Sequence, residues 1–303
     1  MIIVRIYEGL GNQLFQYAYA RALSLSTDQK VFLDIRETGS LAEEQRRAKR
    51  KCGLRNFKIT LPICQNVQNF YPYLNCGLSM RDTMKKISSM GWLPYKYYEE
   101  PEAEYHEELL NRKGNWYLQG WFQDERYFSE YSEIIRKEIV PRKKIRISGG
   151  LKEILRTKNT VSVHIRRGDY VKLSNQLPIS YYHNAMAHMR SIVKDPFWIV
   201  FSDDVDWVKR NLNLTEDHYF VSENENLEDY EELMVMSCCK NQIIANSTFS
   251  WWGAWLNRNE CKTVIGPEKW FIKGIGPEKW FIKGASRQEP YLLLKNWIAE
   301  PIK

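Results

Sequence analysis

Between Thr160 and Ile265 the chain repeats one pattern: a short, mostly apolar run, a turn, then helical apolar spacing. The runs are Val161–Ile165, Phe197–Phe201, His218–Val221, Gln242–Ala245 and Lys262–Ile265. Helical sequence over Ser180–Val193, Val205–Asn211, Asn226–Met236 and Ser250–Leu256 separates them. Strands alternating with helices predict a doubly wound, mostly parallel sheet.

The N-terminal half begins the same way. Ile2–Tyr7 reads as a buried strand, Glu8–Gln13 as a loop, Leu14–Leu25 as a helix and Val31–Ile35 as a second strand. From about residue 40 to 115 the pattern is irregular, with Pro62, Pro72, Pro94 and Pro101, and reads as helices and loops. Gly114–Trp121 returns to strand character, and helical sequence follows through Ile139. Pro141–Gly150, "PRKKIRISGG", is the best linker, with a helix over Leu151–Leu155 as an option. These signals predict a lobe over residues 1–150, a second over 151–285, and a helix over 286–303 packing back on the first lobe. Ligands should bind in a cleft beyond the carboxyl ends of the strands.

Gly266–Ile275 and Gly276–Ala285 are identical at nine of ten positions. Two short copies do not make a solenoid. They read as a local duplication lengthening a surface loop, with one copy in the required position.

Lys and Arg exceed Asp and Glu by 44 − 37 = 7, which favours anionic partners. Basic residues concentrate at Arg46–Lys51 and Lys137–Arg146, which raises peripheral contact with an anionic membrane as an alternative to plain solvated surface. No apolar run approaches about 18 residues, and the N-terminus lacks the parts of a signal peptide, so a cytoplasmic location is expected. The six cysteines are scattered without a C-x-x-C pair, against zinc or a disulfide framework.

Four stretches carry chemistry. Gly9, Gly11, Asn12 and Gln13 lie in a strand-to-helix loop that could approach a ligand closely, or simply turn tightly. His164-Ile-Arg-Arg-Gly-Asp169 ends a strand with two guanidiniums, whose donors match phosphate oxygens. If the strand continues, Arg166 and Arg167 face opposite ways, and the outward one is structural with Asp169 as its ion-pair partner. Ser202-Asp203-Asp204 follows another strand, where a carboxylate could read a guanine edge or cap the next helix. Asn246-Ser-Thr-Phe-Ser250 precedes a helix rich in Trp251, Trp252 and Trp255. Its hydroxyls and backbone N–H groups suit an anion, and the tryptophans suit the core.

In this order and over essentially the whole chain, the four stretches resemble the α-1,2-fucosyltransferases, glycosyltransferase family 11. The resemblance implies an α/β fold of GT-B type, with two Rossmann-like lobes facing a central cleft. It implies a metal-independent, inverting transfer of L-fucose from GDP-fucose to the 2-hydroxyl of a terminal β-galactoside, in surface-glycan synthesis. The partners implied are this donor substrate and a galactose-terminated oligosaccharide, with no cofactor and no nucleic acid. Carried over by motif, Arg166 binds the β-phosphate, with His164 and Asp169 completing the catalytic motif. Asp203 or Asp204 reads guanine, and Asn246, Ser247, Thr248, Phe249 and Ser250 surround the diphosphate. Glu8, Gly9, Gly11, Asn12 and Gln13 form the acceptor side. Glu8 departs from the family, which more often has glycine there.

An arginine fixed at the leaving phosphate stabilises charge that develops in the transition state. The base for the acceptor hydroxyl stays open among Glu8, Asp124 and His164. The alternatives are transfer in another linkage, such as α-1,6 to GlcNAc, a nucleotide-sugar sensor without catalysis, and a basic nucleic-acid-binding protein.

Overall fold

The computed structural model describes residues 1–35, 52–64, 87–88, 90, 95–100, 105–270 and 292–302. The chain divides into two compact units, Met1–Arg142 and Lys143–Lys303. The division falls inside the Pro141–Gly150 linker, a few residues before the boundary read from the sequence.

The first unit runs β1 (Ile2–Arg5), α1 (Leu10–Thr27), β2 (Val31–Asp34), β3 (Lys96–Glu99), β4 (Trp116–Gln119) and α2 (Ser132–Glu138). Its described strands are parallel, in the order β2-β1-β4-β3. The central strand β1 is buried throughout, which explains its unbroken apolar run. Its one charge, Arg5, donates through Nη1 to Gln119 Oε1 on β4 at 3.0 Å. Helix α1 is buried around most of its circumference, and its polar residues are therefore braces. Gln16 accepts from Tyr7 N at 2.9 Å and donates to Gly120 O at 3.2 Å, tying the loops that leave β1 and β4. The buried Glu138 carboxylate on α2 accepts from Tyr17, from Arg21 Nε at 2.9 Å and from Thr60 Oγ1 at 3.0 Å. Burial of such a charge is tolerable only with partners of this kind.

β3 lies inside the stretch read from the sequence as helices and loops. It has only four residues, its ends are Lys96 and Glu99, and its hydrogen bonds come from β4 rather than from a hairpin neighbour. So short an edge strand has no alternation to read.

The second unit runs α3 (Gly149–Thr157), β5 (Asn159–Ile165), α4 (Gly168–Lys172), α5 (Ile179–Ile192), β6 (Pro196–Ser202), α6 (Val205–Asn211), β7 (His218–Phe220), α7 (Val221–Asn224), α8 (Asp229–Cys238), β8 (Asn241–Ile243), α9 (Thr248–Leu256), β9 (Val264–Pro267) and β10 (Ile298–Glu300). Among the described residues its six strands are parallel, in the order β10-β9-β8-β5-β6-β7. Val161, Val163 and Ile165 pack with Tyr181, Met186 and Met189 of α5 on one face. Ile199 and Phe201 pack with Val235 and Met236 of α8 and Leu151 of α3 on the other. Both faces of the sheet are therefore covered, as in a Rossmann-like lobe.

The C-terminal helix expected over 286–303 is corrected over its described part, residues 292–302. Residues 298–300 form β10, which adds to the β9 edge in parallel, Ile298 opposite Ile265, and so belongs to the second sheet. The open edge of β9 offers backbone groups that a strand can pair, and Ile298 and Ile302 reach the apolar cluster under α5. Of the decapeptide duplication, Gly266 and Pro267 complete β9 and Trp270 is buried. The second copy lies outside the described residues.

Candidate active site

Strand order in the second sheet reverses between β5 and β8. A reversal of this kind opens a crevice beyond the carboxyl ends of the strands. Three loops end there, after β5, β6 and β8, and they carry the three motifs read from the sequence.

Arg166 leaves β5 and is gripped from two sides. Nη2 donates to Asp169 Oδ1 at 2.5 Å, and Nη1 pairs with Asp203 Oδ2 at 2.7 Å. Burial works against the charge, but Asp203 and Asp169 outweigh it and raise the guanidinium above its ordinary pKa. The same guanidinium lies 5.6 Å over the Tyr170 ring, and Tyr170 Oη donates to Asn246 O at 3.2 Å, linking two of the loops. Gly168 allows the grip: a Cβ there would stand 2.5 Å from Asp203 Oδ2.

Arg167 faces elsewhere. The strand ends at Ile165, and Arg167 turns into α4 at φ −127° and ψ −65°. Its Nε donates to Asp204 Oδ2 at 3.0 Å, and its guanidinium lies 3.6 Å from the Trp207 ring centroid. The expected Arg167–Asp169 pair is therefore corrected: Asp169 holds Arg166, because the helical turn at Gly168 carries it back by i,i+3. Asp204 also caps α6, accepting from Trp207 N at 3.2 Å. Its bond from Arg167 lowers its pKa. Asp203 further accepts from Arg167 N at 2.8 Å. Both acids thus brace arginines and backbone, the capping alternative for Asp204.

His164 is buried 5.5 Å from the Phe249 ring, and its Nδ1 has no hydrogen-bond partner among the described residues. Burial, then the Arg166 charge, pushes its pKa down to about 3, so the imidazole is neutral at ordinary pH. Asn246 donates to Asn175 O at 2.9 Å and Trp270 O at 3.0 Å. Ser250 accepts from Ala245 N at 3.2 Å and donates to Ser247 O at 3.2 Å. Ser247 caps α9, accepting from Phe249 N at 3.3 Å. Asn246, Ser247 and Ser250 are buried and shape the loop, while Thr248 and Phe249 remain half-exposed at the helix start. Trp251, Trp252 and Trp255 form a buried core with Trp297.

The first sheet reverses too, between β1 and β4. Glu8 follows β1 with φ 67°, a left-handed conformation, and Phe122 follows β4 with φ 50°. Glu8 Oε2 accepts from Asn12 Nδ2 at 2.5 Å and from Trp121 Nε1 at 3.1 Å. Gln123 Nε2 donates to Asn12 Oδ1 at 2.8 Å. Gly9 is the N-cap of α1, whereas Gly11 and Gln13 lie buried inside the helix. Gln13 supports the loop, donating to Glu8 O at 2.7 Å and accepting from Gly53 N at 2.9 Å.

The sequence model of Glycosyl transferase family 11 matches residues 1–273. The chain belongs to glycosyltransferase family 11. The O-antigen biosynthesis glycosyltransferase WbnK of Escherichia coli is 33% identical over 87% of this chain and 92% of that protein. The alpha-1,2-colitosyltransferase of Escherichia coli is 31% identical over 89% of this chain and 92% of that protein. The human galactoside alpha-(1,2)-fucosyltransferase 1 is 23% identical over 81% of this chain and 62% of its own length.

Within this family 11 chain, the geometry separates the three candidate bases. Asp124 is buried and gripped by Arg126, with Oδ2 accepting from Nη2 at 2.5 Å and Oδ1 from Nε at 2.9 Å. His164 is buried and weakly basic. Glu8 is half-buried, with its carboxylate aimed by an indole and an amide. Sequence reasoning missed Tyr170, Trp207, Trp121 and Gln123 as parts of these constellations. Their signal is position: Tyr170 follows β5, Trp121 and Gln123 follow β4, and Trp207 lies in the helix after β6, the strand beside β5.

Proposed function

We propose that this glycosyltransferase moves L-fucose from GDP-β-L-fucose to the 2-hydroxyl of a terminal β-galactoside, with inversion, in surface-glycan synthesis. The grip of Asp169 and Asp203 on Arg166 at the reversal of the second sheet carries this reading. A guanidinium fixed in this way presents paired N–H donors to a phosphate without waiting to be ordered. Of the three acids in the cluster Asp169 is the most exposed, at 47% against 29% for Asp203 and 38% for Asp204. Asp169 yields to the diphosphate, while Asp203 keeps the fork in place. Thr248 and the first N–H groups of α9 then take remaining phosphate oxygens. As the sugar–phosphate bond breaks, Arg166 stabilises the charge gathering on departing GDP, the part a metal plays in other transferases. His164, neutral and beside Arg166, adds no charge that would compete with the guanidinium.

The donor sugar has a second reading. The colitosyltransferase relative is nearly as similar as WbnK, at 31% against 33% identity, so activated colitose is the competing donor. The deciding experiment incubates the protein with lactose and either GDP-fucose or GDP-colitose, follows GDP release, and assigns the product linkage by NMR. A 2-linked fucosyl product is expected. Release only from GDP-colitose would move the donor assignment. A fucosylated lactose without a 2-linkage would overturn the linkage.

A further inference from the structure

We infer that Glu8 is the catalytic base of this enzyme, held at the reversal of the first sheet to take the proton of the acceptor hydroxyl. The inference rests on the glycosyl-transfer reading above and names the group that reading lacks.

The backbone gives the first reason. At φ 67°, position 8 suits glycine, and a side chain there is strained. Yet the residue is a glutamate. In the facing loop after β4, Phe122 is also left-handed, at φ 50°. An aromatic residue in that region is a genuine outlier. The two strained loops flank the point where the strand order reverses, and in open α/β sheets that is where ligands bind.

The side chains give the second. Trp121 Nε1 and Asn12 Nδ2 both donate to Glu8 Oε2, at 3.1 and 2.5 Å, and Gln123 fixes Asn12 in turn. The carboxylate is therefore oriented, as a general base must be. Beside it stand the rings of Tyr7 and Trp121, with centroids 6.2 Å apart and planes tilted by 53°. Aromatic faces next to hydroxyl-binding carboxylate and amide groups suit a pyranose, whose C–H faces are apolar and whose rim is polar. The other two candidates are poorly placed to act as base, because Asp124 is locked to Arg126 and His164 is buried.

The step balances. The acceptor O–H bond breaks and its proton passes to the Glu8 carboxylate. The acceptor oxygen forms the new bond to the anomeric carbon. The bond from that carbon to the phosphate oxygen breaks, and its electron pair leaves with the nucleoside diphosphate. The proton on Glu8 is then released to solvent.

The test compares the wild type with Glu8→Gln and Glu8→Gly. Glycine is at home at this φ, so Glu8→Gly keeps the loop. With methyl β-galactoside as acceptor, each variant is expected to lose about 10²- to 10⁴-fold in kcat. GDP affinity by calorimetry is expected to stay within about twofold, since uncharged base loss leaves the phosphate clamp alone. Added sodium formate, filling the space of the deleted carboxylate, is expected to restore Glu8→Gly at least about tenfold and not Glu8→Gln. A kcat within about threefold of wild type in either variant, or a loss that formate cannot restore in Glu8→Gly, overturns the base assignment alone. A wild type that releases GDP from neither donor overturns the transfer reading and the base with it.

Discussion

An arginine proposed to meet a diphosphate gains from being held before the ligand arrives, since its side chain carries about 2 kcal/mol of rotamer freedom. Asp203 and Asp169 hold Arg166 in this way, while Asp204 and Trp207 fix Arg167 apart from it. Adjacent residues thus divide the work because the chain turns between them, at the end of β5. Arg166→Lys keeps the charge but replaces a flat fork with a single ammonium, which cannot meet Asp203 and a phosphate together. We expect a fall of about 10²- to 10³-fold in kcat, typical of losing one preorganised donor. Thermal unfolding should shift little, because the pair is partly exposed and such pairs contribute little stability. Steady-state kinetics on a folded Arg166→Lys protein checks this, and undiminished kcat would remove Arg166 from the chemistry.

At the scale of elements, the strands buried on both faces were readable because burial forces a long apolar run. β6 shows it over Phe197–Phe201, β5 carries Val161, Val163 and Ile165, and the motifs at the carboxyl ends of both could be placed from the sequence. β3 and β10 were not readable, for a shared physical reason. Both are short edge strands whose stability comes from a partner far away in sequence. The acids were half-readable: their residue types named the chemistry, but which carboxylate grips which arginine depends on the turn at Gly168. β10 has a consequence that a C-terminal helix on the first lobe would not. Trp297, just before it, is buried with its ring centroid 5.7 Å from that of Trp251 in the core of the second unit. Trp297→Ala should cost about 3 kcal/mol of stability, as large-to-small core changes do. A denaturant midpoint unchanged from wild type would contradict this placement.

At the scale of the whole molecule, each unit has its own parallel sheet, its own reversal and its own polar constellation. Among the described residues no helix is long and apolar enough to cross a membrane. Each unit is of the size at which a single core can sustain a fold. The division at Arg142 leaves Arg166, Asp169, Asp203 and Thr248 together in Lys143–Lys303, and Glu8, Asn12 and Trp121 together in Met1–Arg142. The residues proposed for donor binding and for proton removal thus fall in separate units, and their roles are open to direct measurement. Residues 143–303 produced alone should melt cooperatively and bind GDP with a Kd within about tenfold of the full chain, since their phosphate-binding groups are complete. Affinity should weaken as salt rises, because a guanidinium at the protein surface is the main attraction. The same fragment should transfer no fucose, for want of Glu8. Calorimetry on the fragment decides the matter: a folded 143–303 chain that ignores GDP, beside a full chain that binds it, would mean that the donor site needs residues of the first unit.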